Sequence, residues 1–170
     1  IKKDCNWIFG NVAKYINSSD RMNLYYSYVE KLINKKAAYV CTCSQEEFKK
    51  LSEEQKDCPC RNINIKENLE RWKNMLDKRQ KAKPLATSSK LGQSKGYKEG
   101  EVVLRFKSDM KHKNPAMRDF PLARINLANH PLQKKKYRVW PLMNLVVAVD
   151  DMELGMTHII RGKDHRDNAL

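Results

Sequence analysis

Long apolar runs are missing from this chain of 170 residues. None approaches the roughly 18 residues that a membrane-crossing helix needs, so no span is expected. A signal peptide is missing as well. The start, Ile1-Lys2-Lys3-Asp4-Cys5, has no apolar core behind a basic end. Acid is scarce: 20 aspartates and glutamates stand against 34 lysines and arginines, a net charge of +14. Such a field attracts polyanions, nucleic acid first among them, although lysines that merely solvate the surface give the same composition. What is present suffices for a core. Hydrophobic residues make up 41% of the chain and aromatics 8%, and the length holds one large domain or two small ones. An opening without Met and an abrupt end at Leu170 read as a piece of a longer protein.

Five cysteines without a secretory signal speak against a disulfide framework. Four of them form two close pairs, Cys41-Thr42-Cys43 and Cys58-Pro59-Cys60, with 14 residues between. Zinc prefers four tetrahedral ligands, and four thiolates close a structural site that leaves no position for water. The short helix expected between the pairs is too small to bury a core of its own, and a metal would hold it. Four reduced, unligated thiols are the other reading. A thioredoxin-type redox pair needs two intervening residues rather than one. Cys5 is left over and reads as a buried hydrophobe.

Along the chain, Trp7, Ile8, Phe9, Val12, Tyr15 and Ile16 supply core material around a break at Gly10-Asn11. Ser18-Ser19-Asp20 looks like a helix start. Leu24, Tyr25, Tyr28, Val29, Leu32 and Ile33 then recur at helical spacing, which predicts a helix over about 20–36. The stripe Tyr25, Tyr26, Tyr28 reads as core packing rather than a base-stacking surface. Residues 37–41 read as a strand. Ser44 and Glu47 form a capping box for a helix to about Ser52. Leu69, Trp72, Met75 and Leu76 predict a helix over 66–78. From Lys78 to Lys98 there are seven basic residues and no acidic ones. That loop either tracks a phosphate backbone or is a solvated insertion. Residues 101–107 alternate as a strand, Asn114-Pro115 marks a turn, and a further strand is expected around 122–127. Lys134-Lys135-Lys136 reads as a solvated hairpin tip.

The stretch around which the rest is organised runs from Tyr137 to Asn168. Val139 to Val149 is nearly continuous apolar sequence, read as a strand or strand–helix unit buried on both sides, as in an α/β sheet. Asp150, Asp151 and Glu153 follow. A second apolar run, Met156 to Ile160, ends at Arg161-Gly162-Lys163-Asp164-His165. In open α/β sheets ligands bind past the carboxyl ends of strands, and this edge would carry charged groups. His158, inside the apolar run, reads as a core histidine.

The words YRVWPLMN, VAVDD, LGMTHIIRGKDH and DN, in this order and spacing, resemble the glutamyl-tRNA synthetase family, in its archaeal and eukaryotic-type branch. LRFKSDM and NPAMRDFPLARI resemble the insertion of that family which grips the tRNA acceptor end. The resemblance implies an α/β fold: the C-terminal half of a Rossmann-like class I synthetase catalytic domain with an inserted α+β acceptor-binding domain. Residues 1–36 would end the first half of the catalytic fold, 37–136 would form the insertion with its zinc knuckle, and 137–170 would belong to the second half. It implies a cytoplasmic ligase that activates glutamate with ATP and magnesium and transfers it to the 3′ end of tRNA(Glu). Other synthetases or accessory factors are further candidate partners; a membrane is not.

The same likeness assigns roles. Arg161 aligns with the arginine that holds the substrate's side-chain carboxylate, a planar fork matched to a carboxylate. Met143 stands where many relatives have a tyrosine lining the amino-acid pocket. Asp164 and His165 align with positions near ATP and the tRNA terminal adenosine. Lys111, Arg118 and Arg124 are the acceptor-stem candidates, although Arg118-Asp119 also reads as an ion pair that pins its loop. Asp150 and Asp151 either cap the turn or orient Arg161. Cys41, Cys43, Cys58 and Cys60 would be the metal ligands, with Cys60 where relatives commonly carry a histidine. The HIGH- and KMSKS-type ATP signatures of class I synthetases are absent, so the isolated chain is expected to be inactive. A non-catalytic, zinc-stabilised RNA-binding module and a glutaminyl enzyme are the alternatives; Arg161 argues against the latter.

Overall fold

The computed structural model describes residues 2–12, 14–77, 96–163 and 165. Four strands form one sheet in which order in space follows order in sequence: β1 (Ala38–Cys41), β2 (Val103–Phe106), β3 (Pro121–Ile125) and β4 (Val139–Pro141). Every pairing is antiparallel. Val40 stands opposite Leu104, Leu104 opposite Ala123, and Ala123 opposite Pro141. Side chains alternate across a strand. This register therefore sends Ala38, Val40, Leu104, Ala123, Ile125 and Val139 into the main core. Tyr39 and Cys41 point the other way, into a small second core with Phe48, Cys58, Cys60 and Met110. β1 is thus buried on both faces.

Helices cover the main face. In α2 (Met22–Asn34), Met22, Tyr25, Val29 and Ile33 form one fully buried stripe. Each such side chain contributes about 1.5–3 kcal/mol on burial. α4 (Ile65–Leu76) adds Trp72 and Met75, and the Trp72 ring meets Tyr26 edge-on at 5.6 Å. The Tyr26 hydroxyl donates to the Val139 carbonyl at 2.7 Å. The tyrosine stripe is therefore packing, as its spacing suggests. Ser18–Asp20 forms a 3₁₀ turn just ahead of α2, which starts at Met22 without a side-chain cap.

The edge of β1 is closed by a side chain. Asn68 on α4 accepts from Val40 N at 2.8 Å and donates to the Ala38 carbonyl at 3.0 Å, as a neighbouring strand would. Asn68 is 4% exposed. Asn68→Ala leaves a buried donor and a buried acceptor unpaired, so it should lower unfolding free energy by about 2 kcal/mol, read as a shift in urea midpoint at constant m-value.

The organising stretch folds as a strand–helix unit: β4 ends at Pro141, and α5 (Met143–Glu153) follows directly. Only Leu145 and Val149, four residues apart, are buried in α5. An apolar run of this length suits either a buried strand or a helix. Proline, which has no N–H to give a ladder, ends the strand early. The sheet is antiparallel, so the rule for parallel strand ends does not locate a ligand here. Tyr25 donates to Asp150 Oδ2 at 2.7 Å, and Arg21 Nε lies 2.9 Å from Asp150 Oδ1, which locks α5 onto α2.

Three expectations are corrected. α1 (Lys2–Phe9) buries no residue; Trp7 is 86% exposed, and Ile8, Phe9 and Tyr15 are exposed too, Tyr15 lying against α1 itself, where its hydroxyl donates to the Lys2 carbonyl at 3.0 Å. Cys5 is only half-buried. His158 is exposed rather than a core histidine, since the chain past α5 leaves the sheet; its ring lies 3.0 Å from Thr157 Oγ1. Lysines 134–136 are exposed, at the tip expected. Residues 78–95 of the basic loop lie outside the described residues. Arg138, nearly buried, joins the two segments on either side of that loop by donating to the carbonyls of Asp77 and Tyr97. No helix among the described residues is long and apolar enough to cross a membrane.

Candidate functional site

The cysteine cluster is built by β1 and two short turns. Cys41 ends β1. Cys43 stands just before Ser44, the N-cap of α3 (Gln45–Glu53). Ser44 Oγ accepts from Glu47 N at 3.2 Å and Ser44 N donates to Glu47 Oε2 at 2.8 Å, which completes the capping box. That backbone bond holds the Glu47 carboxyl below its usual range. Cys58 and Cys60 flank Pro59 at the head of a 3₁₀ turn, Pro59–Asn62.

The four Sγ atoms lie within 4.8 Å of one another. Cys58 Sγ is 3.5 Å from Cys41 Sγ and 3.4 Å from Cys43 Sγ. A disulfide needs about 2.05 Å. A tetrahedron of sulfurs about 2.3 Å from one zinc spaces them by about 3.8 Å, close to what is found. Thr42 also approaches Cys60 Sγ, with its backbone N at 3.5 Å and its hydroxyl at 3.4 Å. Hydrogen bonds from Cys41 and then Cys58 pull the Cys60 thiol far below its usual range, while burial pushes Cys43 up to about 11. The donor set, its spacing and its burial fit a structural zinc, with all four positions filled by protein.

Arg61, next to Cys60, ties this knuckle to the loop between β2 and β3. Its guanidinium pairs with Asp119 and donates to the Ser108 carbonyl at 2.6 Å. Asp119 is fully buried and also accepts from Tyr39 Oη and Ser108 N, each at 2.8 Å. Asp119 therefore pairs with Arg61 and not with Arg118. Arg118 is itself 7% exposed and donates to the carbonyls of His112 and Ser52 at 2.7 Å and of Lys113 at 3.4 Å. Arg118, one of the acceptor-stem candidates, thus has its guanidinium on three backbone carbonyls. Lys111 and Arg124 do reach solvent. Arg124 lies opposite Trp140 on the strand pair, and the His130 ring stacks on Trp140 with centroids 4.6 Å apart.

Past α5, Arg161 Nη2 pairs with Asp151, so Asp151 rather than Asp150 orients this arginine. The Arg161 side chain is 19% exposed, at the surface and not locked in the interior. Among the described residues its other guanidinium nitrogens have no hydrogen-bond partner. Met143 opens α5 and is 46% exposed. His165 is half-buried, its backbone N donating to Gly162 O at 3.0 Å. Asp164 lies outside the described residues. Among the described residues no hydrogen bond or ion pair joins Met143 to Arg161. Asp119 was read from the sequence with Arg118 rather than Arg61, and Arg61, Asn68 and Arg138 were not singled out there. Their one signal there is that Arg61 directly follows a metal-ligand candidate.

Comparison with known proteins places these features. Residues 1–170 match the family described as tRNA synthetases class I (E and Q), catalytic domain. The chain is 44% identical over 169 residues to the glutamate–tRNA ligase of Thermococcus kodakarensis and to that of Pyrococcus furiosus. It is 42% identical over 169 residues to the glutamate–tRNA ligase of Methanothermobacter marburgensis. These matches take in 99% of this chain but only 26–27% of each relative, so the chain spans about a quarter of the length of the curated relatives it matches. Matched from its first residue to its last, this chain of mixed helices around an antiparallel sheet belongs to the class I tRNA synthetases of the glutamate and glutamine type, within their catalytic domain.

Proposed function

We propose that the chain is part of the catalytic region of a glutamate–tRNA ligase. In this reading the whole protein activates glutamate with ATP and magnesium, releasing pyrophosphate, and then passes the glutamyl group to the 3′ end of tRNA(Glu). Residues 1–36 close the first half of the catalytic fold, 37–136 are the inserted acceptor-binding domain, and 137–170 belong to the second half. Zinc at Cys41, Cys43, Cys58 and Cys60 supplies a rigid tetrahedral crosslink and takes no part in the chemistry. Lys111 and Arg124 face the acceptor stem, and Asp164 and His165 lie near ATP and the terminal adenosine.

Arg161 carries the choice of glutamate. Asp151 occupies one guanidinium nitrogen, which fixes the plane of the fork and leaves its remaining N–H groups for a substrate carboxylate. Glutamine would turn an amide NH2 toward those donors and leave them unpaired. Identity to glutamate–tRNA ligases across 99% of the chain supports this choice over glutamine. Met143 cannot donate a hydrogen bond, so in this pocket it contributes contact area alone.

The test uses the intact protein with Arg161→Gln and glutamate-dependent ATP–pyrophosphate exchange. Losing a charge-assisted pair costs about 2–4 kcal/mol. That predicts a fall in kcat/KM for glutamate of roughly 30- to 1000-fold, with KM for ATP little changed. An unchanged dependence on glutamate would sink the assignment.

A further inference from the structure

A cleft of about 360 Å³ opens between the end of α2, the start of β1 and the turn that leads from Cys60 into α4. Its polar lining is Lys36, Arg61, Lys107, Asn62, Asn64 and Asn68; the rest is isoleucine and alanine, and no carboxylate lines it among the described residues. The volume is that of a small-ligand pocket. Arg61 is already answered by Asp119 and, at 3.5 Å, by Asp57. Among the described residues no carboxylate answers the two lysines. Lys107 Nζ meets only neutral acceptors, the Arg61 carbonyl at 3.4 Å and Asn62 Oδ1 at 3.3 Å. Lys36 has no side-chain partner among the described residues.

Lys36 also sits where a lysine is poorly suited. It follows the last turn of α2 with φ +57, the left-handed conformation that helix ends ordinarily give to glycine. The sequence keeps a cation there at a conformational cost that glycine would avoid. The first turn of α4, capped by Asn64, opens on the same cleft and adds partial positive charge.

We propose that this cleft seats a phosphate of an RNA strand, with Lys36 and Lys107 as its counter-charges and the amide groups of Asn62 and Asn64 beside them. The proposal rests on the reading of the protein as a tRNA-binding enzyme. Its chemistry is that of any phosphate, so the experiment separates RNA from a free anion. In the intact protein, Lys36→Gly, Lys107→Gln and the distant Lys49→Gln are compared for RNA affinity across a salt series and for melting temperature. Removing one lysine–phosphate pair should lower the slope of log K against log salt by about 0.7–0.9. Lys36→Gly is expected to melt higher than the parent and yet bind RNA several-fold more weakly, with a shallower slope. Lys107→Gln should weaken binding likewise, and Lys49→Gln should not. A purely structural lysine would not give gain in stability together with loss of binding. If neither cleft variant changes affinity or slope, the cleft is not an RNA site, whatever the parent binds. If the parent binds no RNA, this proposal and the functional reading fall together. Stabilisation by inorganic phosphate that Lys36→Gly abolishes, with RNA affinity untouched, would assign the cleft to a free anion and overturn the RNA reading.

Discussion

Stripping the metal with a chelator should unfold the knuckle from Cys41 to Asn62 while leaving the main core folded. The expectation follows from how little apolar surface that segment buries. Its core is Tyr39, Cys41, Phe48, Cys58, Cys60 and Met110, half of it cysteine. α3 buries one side chain, Phe48, which contributes about 2–3 kcal/mol. The capping box adds about 1 kcal/mol. Ordering some twenty residues of backbone costs about 1–2 kcal/mol apiece, far more than these interactions return. Structural zinc in comparable small modules contributes about 10–16 kcal/mol of apparent binding free energy, more than the Phe48 burial and the capping box together. One zinc per chain should be found by metal analysis, and hydrogen exchange after chelation should rise over residues 41–62. Tyr25, Val29 and Trp72 lie in the separate main core, so α2 and α4 should keep their protection. Cys58→Ser should reproduce the loss, whereas Cys5→Ser should not, because Cys5 stands outside the cluster. Substoichiometric metal together with exchange indifferent to chelator would leave the four thiols unligated and the idea wrong.

What could be read from the sequence is what local physics writes there. The α2 stripe, the Ser44 and Glu47 box and the paired cysteines are fixed by spacings of one to four residues, and the structure keeps all three. The reading strained where a run satisfies two periods at once. Val139 to Val149 suits a strand and a helix alike, and only the pairing of β4 with β3 and the packing of Leu145 and Val149 decide where one becomes the other. Partners far apart in sequence were invisible. Asp119 stands beside Arg118, and adjacency suggested that pair; the fold instead brings in Arg61, 58 residues away. Apolar content misled at the N-terminus for a related reason. Trp7, Ile8 and Phe9 are core-like as residue types, but burial is a property of what packs against them, and all three are more than half exposed.

Asp119→Ala should cost about 3–5 kcal/mol, the usual penalty for removing one partner of a buried ion pair. Asp119 is fully shielded, and the Arg61 side chain is 13% exposed, so water rescues little of the stranded charge. Two further losses add to it. Tyr39 Oη and Ser108 N lose their acceptor. The backbone at residue 119 has φ +37, which aspartate and asparagine tolerate better than alanine. Asp119→Asn separates these effects. Asparagine keeps the shape, the backbone tolerance and one acceptor oxygen; it removes the charge facing Arg61 and puts an amide donor in place of the second acceptor. Urea denaturation should therefore place it between the parent and Asp119→Ala. If the charge pair carries most of the energy, Asp119→Asn will approach the alanine variant, and Arg61→Met combined with Asp119→Asn will cost less than the sum of the single changes, by about 1–3 kcal/mol. If Asp119→Asn is nearly neutral, the residue is there for its backbone and its hydrogen bonds, and Arg61 needs no counter-charge. Strict additivity in the double variant would mean that the two side chains, though adjacent, do not depend on one another. The knuckle would then be tied to the β2–β3 loop by the bonds of Arg61 to the Ser108 carbonyl and of Arg118 to the Ser52 carbonyl rather than by the ion pair.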